Sequence, residues 1–292
     1  MKRLALLCIT FVAASPRLSA QDLFTRVVTR IAKTPNTGVG VYYRRLDRAD
    51  SLLVDAGHRF HAASTMKVPV MIQVFRDADA GTLRLSDSLT VVNEFHSIAD
   101  GSPFQLDKAD DSDSSLYLRV GQKAAVRDLL ELMITVSSNL ATDILIERIG
   151  PERANATAHS LGADSILVLR GVEDGVAYRA GRNNTTTARD LGVLLAAIAD
   201  HRAASRVACD SMLAILGRQH FTEGIPAGLP PGARVFHKTG WVGQVVYHDA
   251  AYVELPGGRR YVLVVTTGGI QKDTAAYNLV ADVSRMVAAV VR

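Results

Sequence analysis

At 292 residues, with 48% hydrophobic and 21% charged side chains, the chain can bury a large core, which excludes a disordered or low-complexity polymer. Its net charge of +4 is modest and no basic run is interleaved with aromatics, which excludes an electrostatic nucleic-acid binder. With only Cys8 and Cys209 as thiols, a disulfide-stapled scaffold is excluded as well.

The chain opens with Lys2 and Arg3, an apolar run over 4–14 and the small-residue site Leu18-Ser19-Ala20. This order is that of a cleavable secretory signal peptide over residues 1–20, with Gln21 as the mature start. A secreted or periplasmic protein is the expectation. The leader carries Lys2, Arg3 and Arg17 and no acid, so the mature net charge falls from +4 to +1. It also removes Cys8, leaving Cys209 without an intrachain partner. No later apolar stretch reaches membrane length, so the mature chain reads as soluble.

Residues 22–33 have apolar positions at helical spacing, and 37–46 and 52–60 read as strands joined by a turn at Asp47-Arg48-Ala49-Asp50. From Thr65 to Ala199 the pattern is mainly helical, clearest over 68–80, 126–149, 151–161 and 187–199. Residues 97–115, acidic and rich in turn formers, read as a long surface loop. Strand patterns return at 235–239, 245–254 and 260–267, the last two joined by Pro256-Gly257-Gly258, and an amphipathic helix over 274–291 closes the chain. Strands at both ends with helices between them predict an α+β fold. The early hairpin joins the late strands in one antiparallel sheet with flanking helices, and an all-helical domain is inserted into it. Residues 21–63 and 205–292 make the discontinuous sheet domain and 64–204 the helical one, with a cleft between them as the natural site.

Three short motifs carry chemistry. Ser64 and Lys67, in HAASTMKV, stand three apart at the start of a helical segment and so share a face. A serine hydroxyl needs a base to become a nucleophile, and Lys67 offers one. The helix N-terminus adds free N–H groups for an oxyanion. Alone, the same pair also describes a capped helix with a solvated lysine. In MITVSSNLATD (133–143) the helical run breaks at Ser137-Ser138-Asn139, presenting a hydroxyl and an amide two residues apart. In VFHKTGWVG (235–243) a strand carries Lys238, Thr239 and Gly240: a cation, a hydroxyl and room for close backbone approach. His237 should point to the opposite face. His58 and His61 lie on a strand without a His-x-His-x-Asp partner, so a zinc centre is not expected. A Gly-x-Ser-x-Gly elbow and a phosphate-binding loop are also absent from the sequence.

In this order Ser-x-x-Lys, Ser-x-Asn and Lys-Thr-Gly resemble the signature of the penicillin-recognising serine enzymes, and MITVSSNLATD and NTTTARDL resemble class A β-lactamases in particular. The resemblance covers nearly all of the mature chain. It implies a β-lactamase/transpeptidase-like fold with a five-stranded antiparallel sheet, in agreement with the order of elements above. It implies a monomeric serine β-lactamase acting on small lactams, with no metal or organic cofactor. Ser64 would be the nucleophile, Lys67 its base, Ser137 a proton relay, and Asn139 a clasp on the substrate's side-chain amide. Lys238 and Thr239, with Gly240 beside them, would bind the substrate carboxylate, and the N–H groups of Ser64 and Trp241 would form the oxyanion hole. Glu173, 34 residues after Asn139, would direct the deacylating water, with Asp174 as the competing neighbour and Arg170, Arg179 or Arg182 as structural partners.

The sequence departs from the family pattern at several points. Ser138 stands where an acid is usual, Ala177 where an asparagine helps to hold the water, and Asn184 where an acid usually closes the loop on an arginine. Residues 97–115 look inserted, and Trp241 replaces a smaller residue. These departures keep two alternatives open: a DD-peptidase-like or other serine amidohydrolase of the same family, and a penicillin-binding sensor that acylates once.

Overall fold

A computed structural model describes residues 20–34 and 37–291, so the leader expected over 1–20 lies, but for Ala20, outside the described residues. Helix α1 (Ala20–Ala32) leads into strands β1 (Gly38–Arg45), β2 (Ser51–Val54) and the short β3 (Phe60–His61). A 3-10 turn (Ala63–Met66) runs directly into α2 (Lys67–Asp79). Short pairings follow, β4 (Ser88–Thr90) with β7 (Lys123–Ala125), and β5 (Phe95–His96) with β6 (Pro103–Phe104). Next come α3 (Val126–Thr135), α4 (Asn139–Ile149), α5 (Pro151–Ser160), the single turn α6 (Gly175–Arg179), β8 (Thr185–Thr186), α7 (Ala188–Ala199) and α8 (Arg206–Leu216). The chain ends with β9 (Arg234–Val242), β10 (Val246–Leu255), β11 (Arg259–Gly268) and α9 (Asp273–Val291).

Five strands form the expected antiparallel sheet, in the order β2-β1-β11-β10-β9. Its central strands are buried on both faces, which is why they read as nearly continuous apolar runs. In β11, Tyr261, Leu263 and Val265 pack with α1 and α9, through Leu23, Val27, Leu279 and Val283. Val262 and Val264 of the same strand face the helical side, with Leu191, Leu194 and Leu195 of α7. The two-residue period of the strand thus builds two cores from one sheet. Helix α2 is buried on every side from Lys67 to Phe75 and forms the axis of the helical part. That packing explains its weak amphipathic pattern.

The structure corrects two readings. The strand expected over 52–60 ends at Val54, because Asp55 turns left-handed (φ 41°) and the chain bends through Gly57; β3 then pairs with β8, outside the main sheet. Aspartate tolerates that backbone region better than most residues. The sequence pattern predicts no helix over 200–234, yet α8 lies there, capped by Ser205 and burying Cys209, Met212 and Leu216 at helical spacing. The 97–115 segment is a largely exposed loop, as expected, but an anchored one: Ser97 and Leu106 are buried, Ser97 and Ile98 bond to Asp174, and Asp107 N bonds to Glu173.

Candidate active site

Ser64 occupies the 3-10 turn in front of α2, where residues three apart eclipse, so Ser64 and Lys67 share one face. The turn is held by Thr65 Oγ1 donating to Ala62 O (2.6 Å) and by Ala63 N donating to His61 Nδ1 (3.1 Å). Lys67 is completely buried. Its Nζ donates to Ser137 O (2.7 Å), Ser137 Oγ (3.2 Å) and Asn139 Oδ1 (3.0 Å). Among the described residues no hydrogen bond joins Lys67 to Ser64; such bonds often close only around bound substrate.

The Ser137–Asn139 turn lies between α3 and α4. Ser137 takes φ 61°, and Ser138 caps α4 by accepting from Ala141 N (3.3 Å). Asn139, the next residue, spans the site: its Oδ1 takes the Lys67 bond and its Nδ2 donates to Glu173 Oε1 at 2.7 Å. On the sheet side, buried Lys238 donates to Ser137 Oγ (3.0 Å) and Thr239 O (2.9 Å). Gly240 lets β9 press against the Ser64 turn: a Cβ there would lie 3.0 Å from Thr65 Cγ2 and 3.1 Å from Thr65 N. Trp241 is 53% exposed at the rim, its Nε1 donating to Asp273 Oδ1 (3.0 Å). His237 points away, with Nδ1 2.9 Å from Asp249 Oδ1. His58 is exposed and paired with Asp55.

Glu173 is half-buried and aimed inward. Besides Asn139, it accepts from Asp107 N (3.3 Å), and among the described residues it forms no ion pair with Arg170, Arg179 or Arg182. Asp174 is turned to a structural task, capping α6 through Ala177 N (2.9 Å) and receiving Ser97 Oγ (2.8 Å) and Ile98 N (3.0 Å). The neck of this loop is closed by Asn184, whose Oδ1 accepts from Leu169 N (2.8 Å) and Arg170 N (3.2 Å) while Nδ2 donates to Arg170 O (3.0 Å). Bonds from the Asn184 amide to the backbone therefore close the neck where the sequence lacks the acid for an ion pair. Ala177 is fully buried and offers no side chain toward water.

A cavity of about 260 Å³ brings Ser64, Asn139, Glu173 and Trp241 to one wall system, with Val172 and Tyr178. Ala63 (φ 45°), Ser137 (φ 61°) and Glu173 (φ 59°) are three of six described non-glycine residues with left-handed backbone. Such strain, about 1–3 kcal/mol each, gathers where a structure over-determines a functional geometry.

The electrostatics favour mobile protons. Burial pulls Lys67 down to about 8, opposed by the charges of Asp111, Asp143 and Glu173. Burial, and then the charge of Lys67, push Lys238 well below the usual lysine range. Two amines that share the Ser137 hydroxyl hold two protons only at a cost. Burial raises Glu173, and the bonds from Asn139 and Asp107 N partly offset the rise.

Two residues at this site lay outside the sequence reading. Asp143, one turn beyond Asn139 on α4, accepts from Val172 N (2.7 Å), and burial holds its carboxyl well above the carboxylate range. Helical spacing from Asn139 could have singled it out. Asp111 receives the first N–H groups of α4, and nothing local in the sequence signals that contact.

Residues 22–291 match the profile of the beta-lactamase enzyme family. A beta-lactamase of Bacteroides uniformis is 26% identical, over 96% of this chain and 94% of that one. The crystal structure of a beta-lactamase from Sphaerobacter thermophilus superposes with a TM-score of 0.78 at 27% identity, covering 90% of this chain and 96% of the other. A mutant of PBP-A in an acyl-enzyme complex with penicillin G superposes equally well (TM-score 0.78) at 30% identity, over 94% and 98% of the two chains. With these motifs on this sheet and this helical insert, the chain belongs to the beta-lactamase enzyme family.

Proposed function

We propose that the protein is a serine β-lactamase of class A type, secreted or periplasmic and acting as a monomer, which opens the lactam amide through a Ser64 acyl-enzyme. The observation that carries the reading is the bridge made by Asn139, which links Lys67 to Glu173 on the wall of the cavity that holds Ser64. Ser64 Oγ attacks the lactam carbonyl and its proton passes to Lys67, whose depressed pKa of about 8 leaves a usable fraction of neutral amine. The N–H groups of Ser64 and Trp241 take the oxyanion; one such donor is typically worth about 10²–10³ in rate. Ser137, between the two lysines, delivers a proton to the leaving nitrogen. Asn139 holds the substrate's side-chain amide, and Lys238 and Thr239, beside Gly240, hold its carboxylate. Glu173 then removes a proton from the water that attacks the ester and frees Ser64.

Ala177, buried and without a hydrogen-bonding side chain, favours a second reading in which deacylation is slow and the protein behaves as a DD-peptidase-like amidohydrolase or a penicillin-binding sensor. A time course with a chromogenic cephalosporin and purified residues 21–292 separates the two. Sustained turnover far beyond one equivalent is expected. A burst of about one equivalent and then a plateau would establish the second reading, and no reaction would overturn both.

A further inference from the structure

Asp111 precedes Asn139 by 28 residues, yet its carboxylate lies against the start of α4. Asn139 N donates to Oδ2 (2.9 Å) and Oδ1 (3.0 Å), and Leu140 N donates to Oδ2 (2.9 Å). These are N–H groups that no partner inside the helix can satisfy, at the end where the helix dipole favours negative charge. Ser138 caps the helix further in, through Ala141 N. The carboxylate is itself fixed, by Tyr117 Oη (3.0 Å) and Asp113 N (3.1 Å). Its loop is pinned to the opposite wall, where Asp174 receives Ser97 Oγ and Ile98 N, and Glu173 receives Asp107 N.

We propose that Asp111 is a positioning residue of this site: by holding the N–H groups of Asn139 and Leu140 it fixes the Ser137–Asn139 turn, and with it the amide that joins Lys67 to Glu173. The 97–115 segment thereby supplies from a distance the acid that Ser138 lacks. The proposal rests on the acylation reading above, but one of its readouts does not. After burial, the charge of Asp111 is the largest influence on Lys67; Asp143 and Glu173 act in the same direction, and Lys238 is the like charge that shares Ser137.

The test compares wild type with Asp111→Asn in two measurements. One is acylation by a chromogenic cephalosporin across pH; the other is the Lys67 titration followed by NMR at Cε and Nζ. Acylation should fall about 10²-fold, the order of loss that a misplaced catalytic group causes, in kcat more than in KM. The Lys67 midpoint should move to lower pH. Adding Ser138→Asp to the variant should restore part of the rate, because an aspartate at the helix cap can reach the freed N–H of Leu140. Tyr117→Phe, which leaves the carboxylate in place, should give a smaller change in the same sense and guards against a variant that fails to fold. A folded Asp111→Asn with wild-type acylation and an unmoved Lys67 midpoint would overturn the proposal. So would a rate loss that tracks the folded fraction alone while the midpoint stays put. Wild-type protein that never acylates would refute the acylation reading, and the Lys67 midpoint would then decide on Asp111 by itself.

Discussion

Asn139 joins the two halves of the proposed chemistry, since one amide group accepts from the amine that serves acylation and donates to the carboxylate that serves deacylation. That donation, and the one from Asp107 N, keep Glu173 usable as a base, because burial alone would drive its carboxyl further toward the neutral form. Deacylation should accordingly fail at a pH above the ordinary glutamate value as Glu173 takes up its proton. Glu173→Gln preserves an oxygen for Asn139 Nδ2 and removes the base. In this variant a penicillin should leave one equivalent of covalent adduct on intact-mass analysis, with steady turnover reduced about 10²–10⁴-fold, the usual worth of a general base. Turnover at the wild-type rate would remove Glu173 from the reading.

At the scale of elements, the site depends on the contact between β9 and the Ser64 turn. A Cβ at position 240 would meet Thr65 Cγ2, Thr65 N and Ala62 O at 3.0–3.2 Å, and two of these are backbone atoms that cannot swing aside. Gly240→Ala should therefore push β9 away from Ser64, lowering the acylation rate while costing about 1–3 kcal/mol of stability, as overpacking does. Acylation unchanged in stopped-flow traces would show that the strand position is not limiting. The same contact shows what was legible in the chain. Ser64 with Lys67, Ser137 with Asn139, and Lys238 with Thr239 are each encoded within a few residues, so local spacing exposes them. The five-stranded sheet was legible too, because β10 and β11 are long, mostly apolar strands joined at Pro256-Gly257-Gly258. Less visible were features set by distant partners. Asp111 reads as one more acid in a polar loop until α4 packs beside it. Asn184 reads as a lost ion pair until its amide meets the backbone of Leu169 and Arg170.

At the scale of the whole molecule, sheet and site are tied by His248, which is fully buried on β10. Its Nδ1 accepts from Thr267 N at 3.1 Å, so Nε2 carries the hydrogen and donates to His61 O at 2.8 Å, just ahead of the Ser64 turn. Burial pulls this imidazole from 6.5 down to about 4. The unfolded chain therefore binds a proton near pH 6.5 that the folded chain refuses until about pH 4. The stability contribution is complete above pH 6.5 and is lost as pH falls through that window, on the order of 3 kcal/mol in all. Asp143, Glu173 and Asp190, all raised by burial, change stability in the opposite sense, so the raw acid profile mixes the two. The difference between wild type and His248→Gln isolates the histidine, because glutamine can still donate to His61 O but does not titrate. Denaturant unfolding at pH 7 and at pH 4.5 should show wild type losing more stability than the variant by a few kcal/mol. Equal losses would mean that His248 is protonated in the fold as readily as in the unfolded chain, which would turn Nδ1 into a donor and break the bond it accepts from Thr267 N.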